Sequence, residues 1–161
     1  MDTYNPDAQR KICGSPSLCF FGDFPTIATI SKNYGIKTSV AWLIPQLLDL
    51  SEFCGCKEKL QGRPLESTAW LIAQNYFYLK VSELMLFFSR FKQGKYGRFY
   101  GSVDPLIIMS ALIDFVRERN DAIFDRGCEL NRIHDEKGKK DAISHEEYLR
   151  LKKITTLKSK K

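Results

Sequence analysis

The sequence predicts a mostly α-helical protein, with one compact multi-helix domain followed by a charged C-terminal extension that is helical or disordered. Apolar residues recur at intervals of three and four along several segments, which is the period of a helix face. No segment of useful length alternates apolar and polar residues as a half-buried strand does. The length of 161 residues suits a single domain with an appendage. We therefore divide the chain into an irregular N-terminal segment, 1–23, a helical core domain, 24–126, and a charged extension, 127–161.

The first predicted helices follow an N-terminal segment that has no clear period. A short helix covers residues 26–33 and stops at Gly35, because glycine readily adopts the left-handed conformation that ends many helices. Thr38 or Ser39 caps the next helix. Pro45 lies inside that helix and either kinks it or splits it into two pieces. The apolar stripe of this second helix consists of Val40, Leu43, Leu47, Leu50 and Phe53.

Three further helices are predicted in the second half of the core domain. The first has Pro64 at its first position, where a missing backbone N–H costs nothing. Ser82 caps the second, which is apolar nearly all round and therefore belongs at the centre of the core, and Gly94 ends it. Asp104 and Pro105 open the third, with the aspartate as the cap and the proline in the first turn.

The composition changes beyond Gly127, where apolar residues become few. Ser144 and Glu147 have the spacing of a capping box, in which each side chain satisfies a backbone N–H of the other residue, so a last helix is predicted there. From Arg150 to the end the chain carries six lysines and arginines and no acid. Such a run usually forms a solvated tail, and the alternative is an arm that contacts nucleic-acid phosphates.

The composition also excludes several classes of protein and site. The net charge of +6 is compatible with a polyanionic partner without requiring one. No apolar run is long enough to span a membrane, and the N-terminus lacks the apolar core of a signal peptide, so we expect a cytoplasmic protein with no membrane partner. The five cysteines do not have the spacing of a structural zinc site, so we expect free thiols, no metal and no cofactor.

The most informative segment surrounds the end of the apolar helix and the loop after it, because it is basic, aromatic and glycine-rich at once. It carries four cations over nine residues without an acid, interleaved with phenylalanine and tyrosine. Cations neutralise phosphates, aromatic faces stack on bases, and the glycines allow sharp turns or a close approach of the backbone. The alternative is that the rings fill the core and the glycines only form turns. The predicted nucleic-acid-binding residues are Arg90, Lys92, Lys95, Tyr96, Arg98 and Tyr100.

No catalytic residue is predicted. The carboxylates of Asp49 and Glu52, and those of Glu118 and Asp121, lie one helical turn apart, which is typical of a solvated helix face. The loop glycines do not have the spacing of a dinucleotide-binding or nucleotide-phosphate loop, and no strand precedes them. We therefore expect a protein that is not an enzyme.

Several motifs around the loop point to a known family. They are SEL (82–84), GKYG (94–97), FYG (99–101) and VDP (103–105), with a weaker similarity over WLIP (42–45). Together they resemble a family of small uncharacterised proteins that occur in gut-bacterial genomes and in their phages and mobile elements, and the resemblance covers about two thirds of the chain. The family has no established activity, so the resemblance supplies no functional residue. The occurrence of the family in phages and mobile elements implies a part in the replication or maintenance of mobile DNA.

These observations favour a non-enzymatic helical adaptor that binds DNA or a replication protein through the loop. The runner-up is a purely protein-binding helical module whose basic charge is incidental. Salt dependence separates the two, because each phosphate that a cation neutralises releases condensed counterions and makes the affinity fall steeply with salt.

Overall fold

The computed structural model of the protein describes residues 4–141 together with residues 144, 146, 148–150 and 152. Seven α-helices lie within residues 4–141, preceded by a short 3₁₀ helix, Pro6–Ala8, and the only β-structure in that part of the chain is two isolated bridges. The mostly α-helical fold class is therefore confirmed. The helices are α1 Gln9–Ile12, α2 Pro16–Phe21, α3 Ile27–Tyr34, α4 Ile36–Phe53, α5 Gly62–Asn75, α6 Val81–Lys92 and α7 Pro105–Asp141.

The core is built around α6, in which nine of twelve residues are buried. Helices α1, α2 and α4 pack against α6, while α3 and α5 pack against α4. The first turns of α7 complete the core, since the ring centroid of Phe115 lies 5.6 Å from that of Phe87 and 6.1 Å from that of Phe20. Full burial of a phenylalanine side chain stabilises the fold by roughly 1.5–3 kcal/mol. The nearly continuous apolar character of α6 thus reflects contacts on every side, which confirms its predicted central position.

The N-terminal segment departs from the prediction. The sequence predicts irregular structure over 1–23, but the described part of this segment contains the 3₁₀ helix, α1 and α2. These helices have only three to six residues, which is too short to show a helical period in the sequence. Ser15 caps α2 by accepting the N–H of Leu18 at 3.4 Å, and Cys19 and Phe20 are buried in the core. The segment is therefore part of the helical body.

A single glycine separates helix α3 from helix α4. Gly35 has a φ of 85°, ends α3 as predicted, and directly precedes α4, which begins at Ile36. The prediction that Thr38 or Ser39 caps α4 is wrong, because both residues lie in the first turn of that helix. The Thr38 hydroxyl donates to the carbonyl of Tyr34 at 2.8 Å. Pro45 lies inside one unbroken helix. Its exposed position lets water satisfy the carbonyl that loses an N–H partner.

The start of α6 depends on Glu83 rather than on the predicted cap, Ser82. The Glu83 carboxylate accepts the backbone N–H of Lys80 at 2.8 Å and so satisfies one free donor of the helix start. Ser82 is completely buried and donates to the carbonyl of Cys19 at 2.8 Å, which joins α6 to α2. A partner so distant in the sequence cannot be recognised from residue spacing.

Helix α7 begins where the sequence predicts and ends later than expected. Asp104 caps it by accepting the N–H of Leu106 at 2.8 Å. The helix passes Gly127, the start of the predicted extension, and ends at Asp141. A glycine inside a helix costs only about 1 kcal/mol relative to alanine, so the helix formers on both sides carry α7 through it. The predicted capping box and basic tail lie largely outside the described residues.

Contacts along the chain define two compact units, Met1–Ala122 and Ile123–Lys161. The first unit contains α1 to α6 and the first turns of α7, together with every buried side chain among the described residues. The predicted domain boundaries, after residues 23 and 126, stay predictions. Among the described residues, no helix combines the length and the apolar character that crossing a membrane requires.

Candidate nucleic-acid interface

The loop between α6 and α7, residues 93–104, turns at three glycines. Gly94, Gly97 and Gly101 have φ angles of 80°, 97° and 79°, which residues with a Cβ atom rarely adopt. The predicted role of these glycines in sharp turns is therefore confirmed. Glu58 holds the far end of the loop through two backbone hydrogen bonds. Its N–H donates to the carbonyl of Gly101 at 3.2 Å, and its carbonyl accepts the N–H of Val103 at 3.0 Å.

Two of the predicted cations share one carboxylate. Nη1 of Arg90, in the last turn of α6, lies 2.9 Å from Oε2 of Glu118, and Nζ of Lys95 lies 2.5 Å from the same oxygen. The Arg90 guanidinium is also 5.7 Å from the centre of the Phe20 ring, a cation–π contact. The Arg90 side chain is 18% exposed and that of Lys95 is 45% exposed. Arg90 is thus a structural residue, and Lys95 is the accessible member of the pair.

A third predicted cation, Lys92, is also engaged. Its ammonium contacts the Asp49 carboxylate and donates to Oε1 of Gln9 at 3.1 Å. Gln9 in turn donates to Oε1 of Gln46 at 2.7 Å, and both glutamines are buried. The Lys92 ammonium also lies 5.9 Å from the centre of the Phe53 ring. An ammonium has three N–H donors, so Lys92 keeps one donor beyond these two acceptors.

Tyr96 faces the core instead of solvent. Its ring centroid lies 5.6 Å from that of Phe87 and 6.1 Å from that of Phe91. Its hydroxyl is buried and has no hydrogen-bond partner within the part of the chain that the structure describes. Burial, together with the negative charge of Glu118, raises the pKa of Tyr96 to about 12, and the nearby Arg90 opposes this shift. The ring cannot stack on a base without leaving these contacts.

Arg98 and Tyr100 are the two predicted residues whose exposed side chains form no hydrogen bond or ion pair with any described residue. Tyr100 is 87% exposed. Phe99, between them, turns inward and stacks on Phe91 with a centroid distance of 5.1 Å and an interplanar angle of 15°. Phe91 and Phe99 therefore pack as the alternative interpretation of the loop expects, whereas Tyr100 does not.

A groove runs between this loop and the end of α4. It has a volume of about 290 Å³, and an adjoining pocket of about 590 Å³ shares part of its lining. The Phe53 ring, which is 62% exposed, lies on the α4 side, and Phe99 lies on the loop side. Its lining includes Phe53, Phe91, Lys92, Gly94, Arg98 and Phe99.

Sequence reasoning missed the acidic partners of the loop and its aromatic neighbour. It treats Asp49 and Glu118 as ordinary solvated acids, yet each binds a loop cation. It also places Phe53 on the buried stripe of α4, although the ring is largely exposed at the last residue of that helix. One signal was available, because residues 1–149 carry as many acids as bases, so acids from elsewhere in the chain could neutralise the basic segment.

The cysteines add no metal centre to this site. Within the described residues, no group of three or more histidine, cysteine, aspartate or glutamate side chains is arranged to hold an ion. Interaction with Cys19, together with burial, raises the pKa of the Cys13 thiol, while the Cys19 thiol donates to the carbonyl of Ile12 at 3.3 Å. All five cysteines are free thiols, as predicted.

Comparison with known proteins places the chain in a family. One family's sequence profile matches residues 62–160, which is more than half of the chain and includes α5, α6, the loop and α7. The comparisons find no matching curated protein and no matching solved structure. The match agrees with the expected similarity to an uncharacterised family. The chain therefore belongs to the Family of unknown function (DUF6633).

Proposed function

We propose that the protein is a non-enzymatic helical adaptor that binds single-stranded DNA through Lys95, Arg98 and Tyr100. The observation that carries this proposal is the exposure of Arg98 and Tyr100 on a turn that is otherwise packed against the core. Phe99 between them is held by Phe91, so neither exposed side chain is needed to hold the loop. Two cations suit phosphates, and a solvated aromatic ring suits a base.

The charge distribution favours a single strand over a duplex. The six cations from Arg150 onward equal the whole net charge of +6, so residues 1–149 carry as many acids as bases. Within the predicted site, Arg90 and Lys92 are paired with carboxylates and mostly buried. A duplex site requires a broad basic surface, whereas a single strand is also bound by stacking of its exposed bases. Lys95, Arg98 and Tyr100 form a surface of the second kind.

The wider setting belongs to the same proposal. An adaptor that holds single-stranded DNA would link it to a replication protein during the replication or maintenance of mobile DNA, which is the role that the family resemblance implies. In this role the protein acts in the cytoplasm of a bacterium and is encoded by a phage or another mobile element.

A second candidate function is a purely protein-binding module, and one observation favours it. Three of the four predicted cations already have carboxylate partners, so their charge is accounted for within the fold. Apolar side chains near the loop are exposed, notably Phe53 at 62% and Leu106 at 75%. Under this hypothesis those side chains bind a partner protein and the basic charge is incidental.

The experiment compares matched variants in binding to labelled single-stranded oligodeoxythymidine and to duplex DNA over a range of salt. Lys95→Ala/Arg98→Ala should flatten the salt dependence by about 0.7 in log–log slope for each phosphate that is no longer neutralised. Its control is Lys32→Ala/Lys37→Ala, which removes two exposed cations at the α3–α4 junction. Tyr100→Ala should weaken single-strand binding by about 1–3 kcal/mol with little effect on duplex binding.

Tyr34→Ala is the control for Tyr100→Ala, since Tyr34 is 73% exposed and lies at the α3–α4 junction. Both controls should bind like the unmodified protein. If the folded protein has no affinity for either form of DNA at low salt, the DNA-binding proposal is rejected and the protein-binding module takes its place.

A further inference from the structure

We infer that the groove between the end of α4 and the loop takes one base of the bound strand, between Phe53 and Phe99. The inference rests on the proposed function and adds a base-binding pocket to a surface that otherwise contacts phosphates and a single stacked base. The groove of about 290 Å³ is near the small end of the range that ligand pockets occupy, which suits a planar ring system and little more.

The two aromatic walls of the groove differ in how they are held. Phe99 is stacked on Phe91 at 5.1 Å, so its position is set before any ligand arrives. Phe53 is the last residue of α4, and 62% of it is exposed to water. Covering an exposed phenylalanine with a planar apolar surface lowers the free energy, because apolar area is removed from water. A base that enters the groove supplies such a surface.

One cation unpaired within the described part of the chain and one further N–H donor at the groove favour an anionic ligand. Arg98 lines it and has no partner among the described residues, and Lys92 keeps one N–H donor beyond its bonds to Asp49 and Gln9. The Lys92 ammonium lies 5.9 Å from the centre of the Phe53 ring, so charge and stacking surface are adjacent. Phosphates flank every base of a strand, and an apolar peptide side chain offers no such charge.

The backbone of the loop leaves the groove open. Gly94 and Gly97 line it, and a Cβ atom built on either residue would meet nothing within 4 Å. Their positive φ angles disfavour any other residue, so no side chain occupies this space. The bound strand can therefore reach both rings past exposed backbone.

The test uses a thymidine strand that carries one 2-aminopurine, whose fluorescence falls when the base stacks. The unmodified protein should quench this fluorescence on binding. Phe53→Ala should bind about tenfold more weakly and lose the quenching, while its salt dependence stays unchanged because the ring carries no charge. Phe53→Tyr, which keeps a stacking face, should retain both affinity and quenching.

The control is Phe124→Ala, which removes a ring that is 70% exposed and lies outside the loop and the groove. It should behave like the unmodified protein, and thermal melting should show each variant to be folded. If the strand binds but Phe53→Ala neither weakens binding nor changes the fluorescence, the base pocket is rejected and the proposed function stands. If no strand binds at low salt, the proposed function and the base pocket are both rejected.

Discussion

The first turn of α6 and the loop after its last turn are both tied to α7, by the neighbouring residues Arg119 and Glu118. At the first turn, Nε of Arg119 lies 2.6 Å from Oε1 of Glu83, which is completely buried. At the other end, Glu118 is 32% exposed and is shared by Arg90 and Lys95. The two ends use the same chemistry in different surroundings, and burial decides what each contributes.

The buried end is satisfied on every side. One oxygen of Glu83 accepts from Arg119, and the other accepts the backbone N–H of Lys80. The Lys80 ammonium donates to the carbonyls of Phe20 and Gly22 at 2.9 and 2.8 Å. These bonds join α2, α6 and α7. Removal of one partner would leave a buried charge without compensation, which is far more costly than the loss of a solvated pair.

The loop end has one carboxylate for two cations. Water reaches Glu118 and Lys95, so their attraction is screened and this pair adds little to stability, whereas Arg90 is mostly buried. The same arrangement leaves an excess of positive charge beside Arg98, and this excess is what a polyanion would meet. The pair of Glu83 and Arg119 thus holds the fold, whereas the pair of Glu118 and Lys95 leaves positive charge that a ligand could use.

The largest expected effect comes from the buried end. Glu83→Ala should lower the free energy of unfolding by about 3–5 kcal/mol, because the Arg119 guanidinium would remain mostly buried without its carboxylate. Chemical denaturation measures this change. The matched control is Glu129→Ala, which breaks an exposed pair with Arg132 on α7 and should cost less than about 1 kcal/mol. Equal losses for the two variants would contradict the role of burial.

Much of the helical body could be predicted because its signals are local. The glycine after α3, the Asp104 cap of α7 and the apolar run of α6 each determine structure within a few residues of themselves. Ser82 and Glu83 could not be interpreted in the same way, because their partners, Cys19 and Arg119, lie far away in the sequence. Helices as short as α1 and α2 also escape detection, since tertiary packing rather than periodicity sets them.

The candidate site was harder to predict than the fold. The glycine turns and the exposure of Arg98 and Tyr100 agree with the composition of the loop. The sequence could not show that Tyr96 points inward, because a tyrosine in a basic loop and a tyrosine in a core have the same local neighbours. Nor could it show that Glu118 neutralises loop cations, because that contact depends on how α7 packs beside the end of α6.

A smaller effect is expected at the loop end. Glu118→Gln removes the shared charge and should lower the free energy of unfolding by less than about 1 kcal/mol. It should also strengthen binding of single-stranded DNA several-fold and steepen the salt dependence, because the exposed Lys95 is no longer neutralised. Denaturation and binding titrations measure the two effects. Asp114→Asn is the control, since it removes an acid that pairs with Arg117 elsewhere on α7. Weaker binding by Glu118→Gln would show that Glu118 positions the loop for its ligand.

No loss of stability at neutral pH is expected from Tyr96→Phe, which removes a buried hydroxyl that lacks a partner among the described residues. At pH 7 the free energy of unfolding should rise by up to about 1 kcal/mol, because the hydroxyl that is removed is buried without a hydrogen bond to compensate for its lost hydration. The difference should grow in alkali. The pKa of Tyr96 is raised from 10.0 to about 12 in the folded protein, so the unfolded chain loses this proton first as the pH rises. The folded state therefore loses stability between pH 10 and about 12, and the variant is spared this loss.

Urea denaturation across this range measures the difference, and Tyr100→Phe, which removes a hydroxyl from a ring that is 87% exposed, should follow the unmodified protein. Parallel curves for Tyr96→Phe and the unmodified protein up to pH 12 would show that the hydroxyl is hydrated in solution.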